Sequence, residues 1–314
     1  MKIVALAGGV GGAKLVDGLA RVLSPQDLTV IVNTGDDFTH YGLKICPDLD
    51  TVCYTLAGLA NPGMGWGQIN ETWQVLQSLK NLGGPTWFNL GDQDLGTHLE
   101  RTRRIQAGEC LSQITRAFCQ VWGVQVTVLP MSDEIVSTQV ITTLEGTLPF
   151  QEYFVHRQCQ PEVKGFRFTG IEQAQPAPGV MEALRVADII IFCPSNPWVS
   201  IDPILRVPGF REMVAAHPVV AVSPLIQGQA VKGPAAKMYR ELGITPSALA
   251  VAEHYRELLS GYILDRSDQQ QVEEISRWGI ITLATNILMP TVEERRRLAE
   301  ETLVFCEQII TQRR

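Results

Sequence analysis

A chain of 314 residues with 45% apolar side chains can bury a sizeable core, as one large α/β domain or two smaller ones. Its formal net charge of −7 leaves no basic field to attract nucleic acid or an anionic membrane, so any bound phosphate must be held locally. The seven cysteines (Cys46, Cys53, Cys110, Cys119, Cys159, Cys193 and Cys306) stand singly, which argues against a disulfide scaffold or zinc knuckle and for a reducing cytoplasm.

The first predicted element is the short apolar run Ile3–Ala7. It is too short for a signal peptide and feeds directly into Gly8-Gly9-Val10-Gly11-Gly12-Ala13-Lys14. Leu15, Leu19, Val22 and Leu23 then recur at helical spacing, so the stretch reads as strand, glycine turn, helix. Glycines let the backbone approach a partner closely, and a helix N-terminus favours an anion there. The turn lacks the GK[ST] of a P-loop, and Lys14 stands where a dinucleotide fingerprint has its third glycine. A lysine there is a mobile point charge for a phosphate. The plainer alternative is a turn that only packs helix on strand.

Leu28–Val32 reads as a second buried strand, ending in Asn33-Thr34-Gly35-Asp36-Asp37. Strand, turn, helix, strand is the opening of a doubly wound parallel sheet, whose ligands bind beyond the carboxyl ends of the strands. Pro47 and Asp48 read as a helix start in which Asp48 caps and Asp50 is left for chemistry. Residues 60–120 read as a mainly helical cover over the sheet rim, with Asn70–Leu82 helical and Trp66 and Trp73 as candidates for stacking on a flat ring. Leu90-Gly91-Asp92 suggests a further acidic rim turn; His40 and His98, like the other dispersed histidines, read as structural. Leu111–Trp122 reads as a helix and Val124–Leu129 as a strand. Val136–Leu144 and Phe150–Val155 read as a small antiparallel excursion.

Ile189–Cys193, apolar without alternation, reads as a central parallel strand running into Pro194-Ser195-Asn196-Pro197. Val219–Ser223 reads as another strand, and Ala248–Ala252 as the last. Lys232-Gly233-Pro234 before a helix is a second candidate anion turn. Thr291 caps a C-terminal helix whose buried side is Leu298, Thr302, Phe305 and Ile309. No stretch is long and apolar enough to span a bilayer.

Glycine turns hold phosphates, whereas carboxylates on the same rim repel them unless a divalent cation lies between. Acids around Asp36, Asp50 and Asp92 beside two lysine-bearing turns therefore point to Mg²⁺ and to phosphoryl-type transfer, which needs mainly positioning and charge neutralisation. No nucleophile dyad and no zinc spacing is evident.

Taken together, these motifs, with Met131-Ser132-Asp133, resemble the 2-phospho-L-lactate transferase family and its phosphoenolpyruvate-using relatives, in order, from the first strand to about Glu253. The resemblance implies a Rossmann-like core in a single transferase domain over residues 1–314. It implies coenzyme F-420 biosynthesis: transfer of a phospholactyl or phosphoenolpyruvyl group from a guanosine diphosphate adduct to the ribityl hydroxyl of 7,8-didemethyl-8-hydroxy-5-deazariboflavin. GMP leaves and Mg²⁺ is required. Carried onto this chain, Asp36 and Asp50 match the metal ligands, and Asp50 and Asp92 the catalytic acids. Gly9, Gly11, Gly12, Lys14, Asn33, Asn89, Ser195, Asn196 and Pro197 match the substrate-binding positions, Asn89 in place of a basic residue in archaeal members. Asn70-Glu71-Thr72-Trp73 and Cys46 lean toward the enolpyruvyl users. On this reading Asp50→Asn removes turnover and leaves the fold intact. The resemblance also points to a homodimer, on which no residue here bears. Two rivals are a nucleotide-sugar-binding regulator of the gluconeogenesis-factor type, which shares the glycine turn, and a nucleotide-dependent oxidoreductase, against which the absent third glycine weighs.

Overall fold

The structure, a computed structural model, describes residues 1–313. Seven strands form its main sheet: β1 (Ile3–Ala7), β2 (Leu28–Val32), β3 (Thr127–Pro130), β4 (Ile189–Phe192), β5 (Val219–Val222), β6 (Gly261–Asp265) and β7 (Ile281–Thr285). They lie in the order β7-β6-β5-β4-β1-β2-β3, and every pairing is parallel. Ile3 pairs with Leu28 on one side and Ile189 on the other, so β1 is an interior strand beside β4, the middle of the sheet.

All five residues of β1 are buried, because helices cover both faces. Alternation sends Val4 and Leu6 into one core, and Ile3, Ala5 and Ala7 into the other. The second core is closed by α1 (Gly9–Val22), α2 (Pro47–Leu56) and the C-terminal helix Val292–Arg313. The expected stripe Leu298, Thr302, Phe305 and Ile309 is buried. Thr291 Oγ1 accepts the Glu294 N–H, as expected of a cap. Arg295 of this helix pairs with buried Asp17 of α1 at 3.1 Å.

The strand order reverses beside β1: the chain runs outward through β2 and β3, then returns to β4 on the other side. The turns after β1 and β4 meet at that point of the rim, the usual ligand position in such sheets.

Three elements differ from expectation. Ala248–Ala252 is not a strand but part of the helix Ala248–His254, whose start is fixed by Ser247 accepting the Ala250 N–H at 3.0 Å. A local cap outweighs a short apolar run that has no helical or strand period of its own. The last two places beyond β5 fall to β6 and, at the edge, β7, which the sequence reading passed over. Phe150–Val155 is not a strand either: Glu152–His156 is a helical turn. The antiparallel excursion is real, however, built from Ser137–Thr142, Thr147–Pro149 and Val163–Thr169.

Within residues 60–120 the helices are α3 (Gln74–Asn81), α4 (Asp92–Gln106) and α5 (Leu111–Val121). α3 begins later than expected and buries none of its residues. No helix among the described residues is long and apolar enough to cross a membrane.

Candidate active site

A cavity of about 460 Å³ opens where the turns after β1 and β4 meet, within the size range of small-molecule sites. One end is lined by Gly8, Gly9, Val10, Gly11, Lys14, Ser195, Asn196 and Lys232. Toward α4 the wall holds Asp50, Tyr54, Phe88, Asn89, Asp94, His98, Phe150 and Phe154, with Asp36 and Asp48 also in it; Trp66 lies in a segment whose Met64 carbonyl accepts Lys232 Nζ.

At the first end the glycines are needed, but largely for the protein's own groups. The run winds directly into the first turn of α1, and Gly9 sits at φ +63°, where a side chain would be strained. A Cβ on Gly8 would lie 2.6 Å from Asp48 Oδ2; one on Gly11 would lie 2.3 Å from the Pro194 carbonyl; one on Gly12 would lie 2.7 Å from Ser195 Oγ. The turn after β4 is thus pressed onto the turn after β1. Ser195 Oγ fastens them, donating to the Gly8 carbonyl at 2.8 Å while lying 3.2 Å from the Gly8 N–H. Gly12 and Pro197 are not among the lining residues. Pro197 is buried at the start of a helical turn, where Asn196 caps Trp198 N–H. Lys14 is half-buried, and burial, then Arg295 and Lys232, lower its pKa. Crowded cations are well disposed to take up an anion.

The middle of the cavity holds an acid pair that the sequence reading assigned differently. α2 starts at Pro47, with no side-chain cap. Asp48 and Asp50 are two residues apart on a helix, about 200° around its axis, so they face different neighbours. Asp48 faces the glycine turn: its Oδ2 accepts Asn33 Nδ2 at 2.9 Å. Asn33 also donates to the Val199 carbonyl at 3.0 Å and accepts the Gly35 N–H at 2.8 Å. Its amide is therefore spent inside the protein, and it acts on the cavity only through the acids. Asp48 is raised to about 6 by burial, against the pull of Asn33 and the Gly9 N–H. Asp36 is raised well above the usual carboxylate range by burial and by the charge of Asp48. Its Oδ1 is buried with no hydrogen-bond partner. Asp37, next to it, is taken by Lys44 at 3.0 Å.

Two coupled buried carboxylates with an orphaned oxygen are a deficit of positive charge, and hard carboxylate oxygens suit Mg²⁺. The residues present therefore fit the ion expected from the sequence, with Asp36 and Asp48 as the facing pair. Asp50, expected as the second ligand, has both oxygens engaged by Arg101, Nη1 at 3.0 Å and Nη2 on the other, and it offers an atom within 4.8 Å of Asp94 and His98.

The second end is organised by α4. Asp94, His98 and Arg101 are spaced i, i+4, i+7, so they share one helix face and turn toward α2. Nη1 of Arg101 lies 3.1 Å from His98 Nδ1, and His98 Nε2 lies 3.3 Å from Asp94 Oδ1. Tyr54 from α2 donates to the same Asp94 oxygen at 2.7 Å. Burial raises Asp50, opposed by Arg101 and His98. Asp94, although burial opposes it, is held below the usual range by His98, Tyr54 and Arg101.

Asp92, expected to be catalytic, is not brought to the cavity. It lies about 200° around α4 from Asp94, and its carboxylate accepts Gln74 N–H and Val75 N–H at 3.1 Å each, with Thr72 Oγ1 as a third partner. It caps α3 instead. Asn89 does line the cavity, at an exposed position. Trp66 lines it too, with Trp73 packed edge-on against Trp66 at 6.5 Å rather than in the wall.

Asp48, Asp94, His98 and Arg101 are the site residues that sequence reasoning missed. The i, i+4, i+7 spacing in α4 signals that the last three share a helix face, but not what Arg101 pairs with.

Comparison with known proteins bears on this site directly. The profile of the 2-phospho-L-lactate transferase family CofD matches residues 3–289. A phosphoenolpyruvate transferase of Kitasatospora aureofaciens is 47% identical over 98% of this chain and 99% of its own. Its counterpart in Mycolicibacterium smegmatis is 39% identical over 91% and 94%. A 2-phospho-L-lactate transferase of Methanosarcina acetivorans is 37% identical over 95% and 97%. Among solved structures, a UPF0052 family protein of Bacillus halodurans superposes with TM-score 0.61, covering 96% of this chain and 98% of that one, at 16% identity, a likeness of fold alone. With a family match that runs through the glycine turn, the acid pair and the α4 network, the chain belongs to the 2-phospho-L-lactate transferase family.

Proposed function

We propose that this transferase moves a phosphoenolpyruvyl group from enolpyruvyl-diphospho-guanosine to the ribityl hydroxyl of 7,8-didemethyl-8-hydroxy-5-deazariboflavin. GMP is released and coenzyme F-420 biosynthesis is served. The observation that carries this reading is one cavity with two unlike ends: backbone turns and lysines at one, carboxylates and aromatic rings at the other. The first suits a diphosphate and the second a ring bearing a polyol. The enolpyruvyl donor is favoured over the lactyl one by the relatives: those named for phosphoenolpyruvate include one at 47% identity, against 37% for those named for 2-phospho-L-lactate.

In this reading Lys14, Lys232 and the free N–H groups of the α1 start take the phosphate charge. Asp36 and Asp48 would hold Mg²⁺, which when bound neutralises charge on the diphosphate and lets it sit beside carboxylates. Asp50 and Asp94 orient the acceptor hydroxyl. Its oxygen bonds to the β-phosphorus, the bond to the α-phosphate bridge oxygen breaks, and GMP leaves with that electron pair. The hydroxyl proton passes to a wall carboxylate. A loose transition state needs no strong base.

The test is the product mass after incubating purified protein, Mg²⁺, deazaflavin and each diphospho-guanosine adduct separately. A product bearing the enolpyruvyl phosphate is expected. No mass change with either adduct would exclude the reaction, and a product only with the lactyl adduct would reverse the donor assignment.

A further inference from the structure

Arg101 is one of the largest fully buried side chains and stands behind the cavity wall rather than in it. Its guanidinium grips both oxygens of Asp50, approaches His98 Nδ1 at 3.1 Å and donates to the Lys44 carbonyl at 3.4 Å. A guanidinium has donors only, so Nδ1 must turn its lone pair to Arg101, and the imidazole proton sits on Nε2. That Nε2 is buried, has no well-aligned partner, and lies in the cavity wall beside Asp94. Asp50, Asp94 and His98 each offer one atom within 4.8 Å of the others. The donors behind them are already spent: Arg101 on Asp50, and Tyr54 on Asp94. What remains toward the cavity is carboxylate acceptors, since the His98 Nε2 proton is buried and faces Asp94 Oδ1 at 3.3 Å. A neutral hydroxyl matches that set, since it donates to carboxylate oxygens. An anionic group does not, and a guanidinium already against Asp50 makes the cluster a poor cation cage.

We propose that Arg101 is a positioning residue: through Asp50, and through His98 to Asp94, it sets the carboxylate acceptors that read one hydroxyl of a neutral polyol acceptor. This rests on the function proposed above and deepens it, naming a side chain outside the cavity wall that acts on the acceptor through its neighbours.

The experiment titrates the deazaflavin, followed by its own fluorescence, into metal-free and donor-free wild type, R101Q, D50N and the R101Q/D50N double variant. Each single variant is expected to bind about tenfold more weakly, and the double variant within about twofold of D50N, because one residue acts through the other. A double variant weakened about a hundredfold, as independent effects multiply, would overturn the proposal, and so would wild-type binding by R101Q. R101K keeps the charge without the planar fork and is expected to bind between wild type and R101Q; it carries the test if R101Q does not fold. Equal affinity of wild type for a ribityl-phosphorylated deazaflavin would contradict the neutral polyol acceptor. Failure of wild type to bind the deazaflavin at all would remove the proposed function itself, and this inference with it.

Discussion

The two ends of the cavity are built by different means. The glycine end is backbone pressed on backbone: Gly11 against the Pro194 carbonyl, Gly8 against Asp48, and one serine hydroxyl as the fastener. The α4 end is side chain on side chain, with buried charges from α2 and α4 satisfying one another. The first kind of site tolerates almost no added volume; the second tolerates volume but no loss of charge balance. Substitutions at the two ends should therefore fail differently.

The largest effect on stability is expected at the α4 end. Arg101→Met strands the Asp50 carboxylate in the interior, and breaking such a pair costs about 3–5 kcal/mol. Asp50→Asn strands Arg101 to a similar extent, so it should not leave the fold untouched as the sequence alone suggests. Denaturant unfolding checks both; midpoints within error of wild type would show the pair to be unimportant.

Turnover should depend most on the middle of the cavity. Asp48→Asn is expected to lower it by about a hundredfold or more, on the scale of losing one charge-stabilising group. Steady-state rates measured across a Mg²⁺ series check this, and a variant with normal rate and normal Mg²⁺ dependence would remove Asp48 from the site.

The same residue yields a pH prediction of opposite sign. Burial raises Asp48 from 3.8 to about 6, so the folded chain keeps a proton that the unfolded chain releases. Its contribution favours the fold below pH 3.8 and is lost as pH rises through about 6. Metal-free Asp48→Asn should then melt above wild type at pH 7 and level with it near pH 4. Melting curves at the two pH values decide, and a variant less stable at both contradicts the shift.

A smaller loss is expected for Gly11→Ala, whose Cβ meets the Pro194 carbonyl at 2.3 Å. Overpacking of this kind costs about 1–3 kcal/mol, and it should weaken guanosine diphosphate binding more than deazaflavin binding. The smallest is Asp92→Ala. It removes the cap of α3, worth about 1 kcal/mol, with turnover unchanged. A large loss of rate without loss of stability would restore Asp92 to catalysis.

The glycine end was legible because its signals are local: an apolar run, a glycine turn and a helical period lie within the first 23 residues. β4 and its Pro194–Asn196 turn were legible for the same reason. The acids were found, but not their roles, because a role depends on helix phase. Asp48 and Asp50, like Asp92 and Asp94, are neighbours in sequence and face opposite ways on their helices. Arg101 was illegible, since its partner lies 51 residues earlier and nothing short of the packing of α4 on α2 joins them. β6 and β7 were missed because each is a run of five residues that looks much like the short helix Ala248–His254 before them in the chain.

The central claim is that the two ends bind different partners, and a crossed titration tests it most directly. Guanosine diphosphate and the deazaflavin would each be titrated into wild type, Lys14→Met and Asp94→Asn. The structure predicts that Lys14→Met weakens only the diphosphate and Asp94→Asn only the deazaflavin, each by about tenfold. Either substitution weakening both ligands alike would contradict the division of the cavity.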